Sequence, residues 1–238
     1  MNISRQLRRW HTWIGLVIGV QVLLWMISGL YMVAVDIDFI HGDTLVRNER
    51  PTLVGIDRTI PIGVLLDRYQ GLYSAKLKAL PGMEHPIYEL GTPDGLLTID
   101  AVSGAVLSPL AQSTVENLAR QYYTGSAPIL KVELIETVPV EIRGQPPYLW
   151  RVDFDDWLQT SFYLYSDTGA LVTRRHRLWR IFDTFWMLHV MDYGYERDDV
   201  NNGLLRVAAA VGLVFAITGL WLLVYSFGRT QRAQRTST

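Results

Sequence analysis

The chain of 238 residues contains no cysteine. That excludes thiolate zinc centres, iron–sulfur clusters, disulfides and a cysteine nucleophile. Three catalytic signatures are missing as well. There is no phosphate-cradling glycine loop ending in Lys-Ser/Thr, no His-Glu-x-x-His pair and no glycine-flanked serine elbow. Negative charge is absent from both ends, since all 23 acidic residues lie between Asp36 and Asp199. Arginine alone charges the tails: Arg5, Arg8 and Arg9 before, Arg229, Arg232 and Arg235 after.

Just inside those arginines lie two uncharged apolar spans, Thr12 to Val35 and Val207 to Phe227. At about 1.5 Å per residue, each crosses a hydrocarbon core of roughly 30 Å. Twenty-four residues without a charge are too many for most soluble core helices. A cleaved signal peptide would need a small-x-small site, and Met32 stands where Tyr31-Met32-Val33-Ala34 would have to be small. Short arginine-rich tails stay in the cytoplasm, so the expected topology places both termini inside a bacterial inner membrane and residues 37–203 in the periplasm. The net charge of −1 averages two compartments, because the stretch Asp36 to Arg206 holds 16 basic and 23 acidic residues. An acidic ectodomain excludes nucleic acid as a partner.

Between Pro51 and Arg175 one pattern is played twice. A helix is expected at Ile60–Tyr69, then strands at Tyr73–Leu80, Pro86–Leu90 and Gly95–Ile99, the last turning through Ser103-Gly104 into Ala105-Val106-Leu107. The second round has a helix at Ser113–Tyr122, with Ser113 and Glu116 spaced as a capping box. Strands follow at Lys131–Val138, Tyr148–Phe154 and Ser161–Tyr165, and Asp167-Thr168-Gly169 turns into Ala170–Thr173. The endings TIDAVSGAVLS and YLYSDTGALVT read as a duplicated α+β unit.

That pattern, ending in YLYSDTGALVTRR, resembles the PepSY domain. The apolar parts agree: RRWHTWIGLVIGVQVLLWMISGLYM resembles the first helix of PepSY-associated transmembrane proteins, and FWMLHV followed by AITGLWLL resembles their later helix pair. The expected fold is α+β, with two transmembrane helices flanking an extracytoplasmic tandem PepSY-like domain. Its parts are a tail and first span at 1–36, repeats at 37–110 and 111–175, an amphipathic interfacial helix at 176–195, a second span at 204–228 and a tail at 229–238. The resemblance implies haem b as a cofactor, since larger members include haem-dependent ferric-siderophore reductases. This chain departs from them in having two spans, the second without histidine.

Small residues mark the faces where helices approach closely. His11, Gly15, Gly19, Val22, Met26 and Gly29 share one stripe, and Ala208, Gly212, Ala216 and Gly219 another, so the two stripes are expected to face each other or a partner subunit. His11 ends that seam, or else is an interfacial histidine beside Trp10 and Trp13. In the stretch Arg177–Asp192, Leu178, Ile181, Phe182, Phe185 and Trp186 share one side, and Arg180, Asp183 and Thr184 the other. His189 falls mid-way along the apolar side, either as a satisfied core histidine or as an axial haem ligand, with Asp192 placed to orient it. His41 is the histidine that can join it near the same face, whereas His11 lies a membrane thickness away. His176 among Arg174, Arg175, Arg177 and Arg180 reads as a solvated basic surface or an anion contact. Asp36, Asp38, His41 and Asp43 read as outside-facing acids rather than a metal site. Asp153, Asp155 and Asp156 lack the spacing of a calcium loop.

The expected function is that of a non-catalytic accessory subunit docking on a larger redox- or iron-related membrane complex, or on a second copy of itself. The alternatives are a haem-carrying electron-transfer subunit and a regulator of an external peptidase.

Overall fold

The computed structural model describes residues 3–47, 51–195 and 197–235. In chain order the helices are α1 (Ile3–Ala34), α2 (Ile37–His41), α3 (Ile62–Arg68), α4 (Gln112–Tyr122), α5 (Arg177–Val190) and α6 (Gly203–Arg235). The strands are β1 (Ser74–Lys78), β2 (Ile87–Thr92), β3 (Gly95–Asp100), β4 (Ile129–Ile135), β5 (Leu149–Phe154), β6 (Ser161–Tyr165) and β7 (Leu171–Arg175). They form two compact units, a helical one (Met1–Val35 with Phe182–Thr238) and a sheet unit (Asp36–Ile181).

In the helical unit, Arg8–Ala34 and Gly203–Tyr225 are long and apolar enough to cross a membrane. Their apolar side chains point outward, as Leu30 at 70% and Leu220 at 64% exposure show, whereas the core helix of a soluble protein hides them. The two helices pack antiparallel, Gly15 against Phe215 and Gly212 against Ile18. On α6 the inward positions are Leu205, Gly212, Gly219 and Ala208, Phe215, Leu222, two series spaced by seven. That is the seam of a 3.5-residue repeat.

The expected stripes are therefore corrected in phase. Gly15, Gly212 and Gly219 lie in the seam, but Gly19, Met26 and Ala216 are exposed. Stepping by four advances about 40° around a helix, so a stripe built from such steps drifts off the contact line. The buried line of α1 runs instead through Ile18 and Ser28.

The amphipathic helix ends two residues earlier than Asp192, at Val190, where Met191 takes a left-handed φ of +54°. It does not continue into α6. Asn202 starts that helix by accepting from Leu205 N at 2.8 Å, which confirms the expected break.

The sheet unit carries two antiparallel sheets, β1-β2-β3 and β4-β5-β6-β7. Helix-plus-meander occurs twice, as read from the sequence. Leu65 of α3 joins Tyr88, Leu90 and Ile99 in one core. Val115, Leu118 and Ala119 of α4 pack on Val152, Phe154, Phe162 and Leu164 in another, and Leu80, Ile87 and Leu110 from the first half enter the same cluster. The halves thus share a core. Gly169 makes the β6–β7 turn at φ +67°, where an added Cβ would lie 2.5 Å from Leu118.

Two local expectations fail. The strand at Ala105–Leu107 shrinks to a single bridge, Ile99 with Val106, because Ser108 Oγ takes the Thr98 N–H at 2.6 Å and closes the ladder. The capping box does not form. Helix α4 starts at Gln112 behind Ala111, which leaves Ser113 inside the first turn, and Gln112 rather than Ser113 bonds to Glu116, at 2.9 Å.

Candidate functional site

A helix leaves its last four carbonyls without partners, a serious cost in apolar surroundings. At the end of α5, side chains supply the donors. Gln21 Nε2 donates to Leu188 O (3.2 Å), Trp25 Nε1 to His189 O (2.8 Å) and Asn202 Nδ2 to Val190 O (2.8 Å). The first two hold the last turn of α5 against α1, where Phe185 also meets Tyr31 edge-on at 5.1 Å, and the third ties it to the start of α6.

They also place His189. Its Nδ1 lies 2.8 Å from Ser28 Oγ, and Ser28 is 1% exposed. Ser28 in turn donates to Leu24 O, four residues back, at 2.7 Å. If the Ser28 proton goes to the Leu24 carbonyl, the hydroxyl accepts from Nδ1–H and the His189 lone pair lies on Nε2. The orienting group is Ser28, so the expectation for Asp192 is corrected. The Asp192 carboxylate accepts from Gly194 N (3.0 Å) and Asp199 N (3.1 Å), and shapes the break instead.

His11 repeats the arrangement at the other end of the seam. Its Nδ1 is 2.9 Å from Thr218 Oγ1, which donates to Val214 O four residues back at 2.9 Å. The His11 ring stacks on Phe215 at 4.2 Å and 6°, and an added Cβ on Gly219 would lie 3.0 Å from it. His11 is thus a packed seam residue. Ser28 and Thr218, the partners of the two histidines, carry no motif of their own. Only their place one turn beyond a helical acceptor could have marked them.

On the polar side of α5, Asp183 is buried and pairs with Arg197 at 3.0 Å. Gly29 approaches His189, with its added Cβ 3.9 Å from the ring.

In the sheet unit, His41 ends α2 and is exposed, and its carbonyl accepts from Arg174 Nε at 3.1 Å. Asp36 caps α2 by accepting from Asp38 N at 2.9 Å, and Asp43 pairs with Arg174. Among the described residues no three His, Asp or Glu side chains gather as a metal set. His176 is fully buried, not part of a solvated surface. Its Nε2 lies 2.9 Å from Phe39 O, and its Nδ1 has no partner among the described residues. Burial pushes the imidazole below its ordinary value, against the raising effect of the Phe39 and Ile40 backbone.

The sheet unit holds one charged network that the sequence does not announce. Arg180 Nε donates to Glu141 Oε2 (2.7 Å) and Tyr163 OH to Glu141 Oε1. Arg180 also reaches Ser161 Oγ (3.0 Å), which donates to Asp153 (2.6 Å), itself paired with Arg151 at 2.8 Å. A cleft of about 610 Å³ opens over these groups. Burial raises the Glu141 carboxyl, but the hydrogen bonds from Arg180 and Tyr163 and the nearby guanidinium charges outweigh it and leave it below the usual range. Burial, with the bond to Glu141, pushes the Tyr163 phenol up.

Haem fits these residues only in part. His189 keeps an Nε2 lone pair behind a fixed Nδ1–H, as an axial ligand requires. His11 is level with Thr218, and 17 residues of α1 separate His11 from Ser28, roughly 25 Å of rise. The two histidines of the helical unit therefore cannot share one iron. No family model matches the sequence, and comparison with curated proteins and with solved structures returned no match.

Proposed function

We propose that the chain is a two-pass membrane protein of PepSY type that acts as a non-catalytic accessory subunit of a larger, redox- or iron-related membrane complex. The observation that carries this reading is how the polar groups are used. Both histidines of the helical unit are tied to a hydroxyl of a neighbouring helix, and Glu141 bonds Arg180 as Asp153 bonds Arg151, the two pairs being linked through Ser161. Such groups hold elements together. Small residues left outside the seam, Gly19 and Ala216, suit approach by a helix of a partner subunit or of a second copy.

The test is co-purification of tagged full-length chain from membranes in mild detergent. Gly19→Leu or Ala216→Leu should remove the associated subunits while leaving the thermal unfolding of the chain unchanged. Unaltered co-purification in both variants would sink the docking reading.

The free Nε2 of His189 favours a second reading, a haem-bearing electron carrier whose other axial ligand comes from outside the helical unit. It requires a Soret band in purified protein that disappears in His189→Ala. A colourless, folded preparation removes it for the isolated chain.

A further inference from the structure

A slot of about 420 Å³ runs along one side of the α1–α6 pair. Its walls extend from Trp10 and Trp13 to Gln21 on α1 and from Val211 to Leu204 on α6, and Met191, at the break after α5, contributes at the far end. From Trp10 to Gln21 the helix rises about 16 Å, half of a hydrocarbon core of about 30 Å. Tryptophans sit at the membrane–water boundary, so the slot opens at one boundary and runs about 16 Å inward along α1 to the start of α6. That is the reach of a single acyl chain within one leaflet.

The open end has its own chemistry. Arg8 and Arg9, both exposed, precede Trp10 and put positive charge at headgroup level, and no acidic residue occurs before Asp36. We infer that the slot is a binding site for one acyl chain of an anionic phospholipid, with the headgroup phosphate at the Arg8–Arg9 level. The inference rests on the membrane-spanning reading of α1 and α6.

The experiment uses the full chain in detergent, titrated with dioleoyl-phosphatidylglycerol or dioleoyl-phosphatidylcholine and read by native mass spectrometry. One phosphatidylglycerol should be retained in preference to phosphatidylcholine. Ala208→Phe, which fills the slot, should weaken retention about tenfold, the loss of roughly two buried methylenes. Val17→Phe on the opposite wall should do the same, and Leu220→Phe, outside the slot, should change nothing. Equal retention by all variants, or of both lipids, overturns the inference. So does a dimer abolished by Ala208→Phe, which would give the slot to a second copy. Carbonate extraction of membranes tests the spanning reading separately: a chain that stays in the membrane but retains no lipid fails only here.

Discussion

Ser28 and His189, 161 positions apart in sequence, meet at 2.8 Å through Oγ and Nδ1. Thr218 and His11 meet in the same way at 2.9 Å. In each pair the hydroxyl spends its proton on the carbonyl four residues back and presents a lone pair to the imidazole. One chemical device thereby pins α1 to α5 at one level and to α6 at another. An unpaired ring nitrogen among apolar neighbours would carry the desolvation cost instead.

Ser28→Ala leaves the Nδ1–H of His189 without an acceptor. Hydrogen bonds between membrane helices are worth about 0.6 kcal/mol on average and about 1.7 at most, so a loss in that range is expected. Thermal unfolding of the full chain in detergent measures it, and a double-mutant cycle with His189→Leu isolates the pair. Zero coupling would mean that the bond contributes nothing.

Glycines in the seam should separate sharply from those outside it. Gly15→Leu places a Cβ 2.8 Å from Phe215, and Gly219→Leu places one 3.0 Å from His11. Overpacking of this kind costs about 1–3 kcal/mol. Gly19→Leu meets nothing within 4 Å and should stay within about 0.5 kcal/mol of wild type. Equal effects at Gly15 and Gly19 would contradict the seven-residue phase of the seam.

Glu141 gives the sheet unit an acid limb. Its folded carboxyl lies below the ordinary value of 4.5, so its stabilisation is complete above that pH and is lost as pH falls through the lower folded value. Arg180→Ala should flatten that limb and cost about 1–3 kcal/mol at neutral pH, toward the lower end because the Arg180 side chain is 31% exposed. Unfolding of the full chain followed from pH 7 to 3, with Glu141→Gln as control, provides the measurement.

His176 acts in a higher window. Burial holds its folded value below 6.5, so the unfolded chain takes up the proton first, and stability present above pH 6.5 declines as pH falls below it. His176→Phe should abolish that step between pH 7 and 5, whatever it does to stability at pH 8. Persistence of the step in the variant would assign it to another group.

The elements were legible where a pattern repeats locally. Alternation in YLWRVDF marks β5, the aromatic-rich run SFYLY marks β6, and the uncharged runs mark α1 and α6. What joins distant elements was not legible. His189 stood out because a polar ring interrupts an apolar face, but Ser28 looks like any small residue of a membrane helix until α5 is laid against it. Glu141 and Arg180 are ordinary surface residues by composition, and only the fold brings them within 2.7 Å. The capping box misled because Ser-x-x-Glu specifies a helix start only if nothing upstream decides it first. Here Leu110, buried and bonded through its N–H to Ser166 O at 2.8 Å, fixes the entry.

The sevenfold spacing of Leu205, Gly212, Gly219 and of Ala208, Phe215, Leu222 works as a ruler. Inserting one residue into α6 before Thr218 turns everything beyond it by about 100° and swings Thr218 out of reach of His11; inserting seven restores the rotation to within about 20° but slides Thr218 about 10 Å along the axis, so that only a matching insertion in α1 rebuilds the pair. The two long helices are therefore tied in length as well as in phase: α1 and α6 can be extended between their shared contacts only together and in whole heptads, and the His11–Thr218 pair is what registers any mismatch.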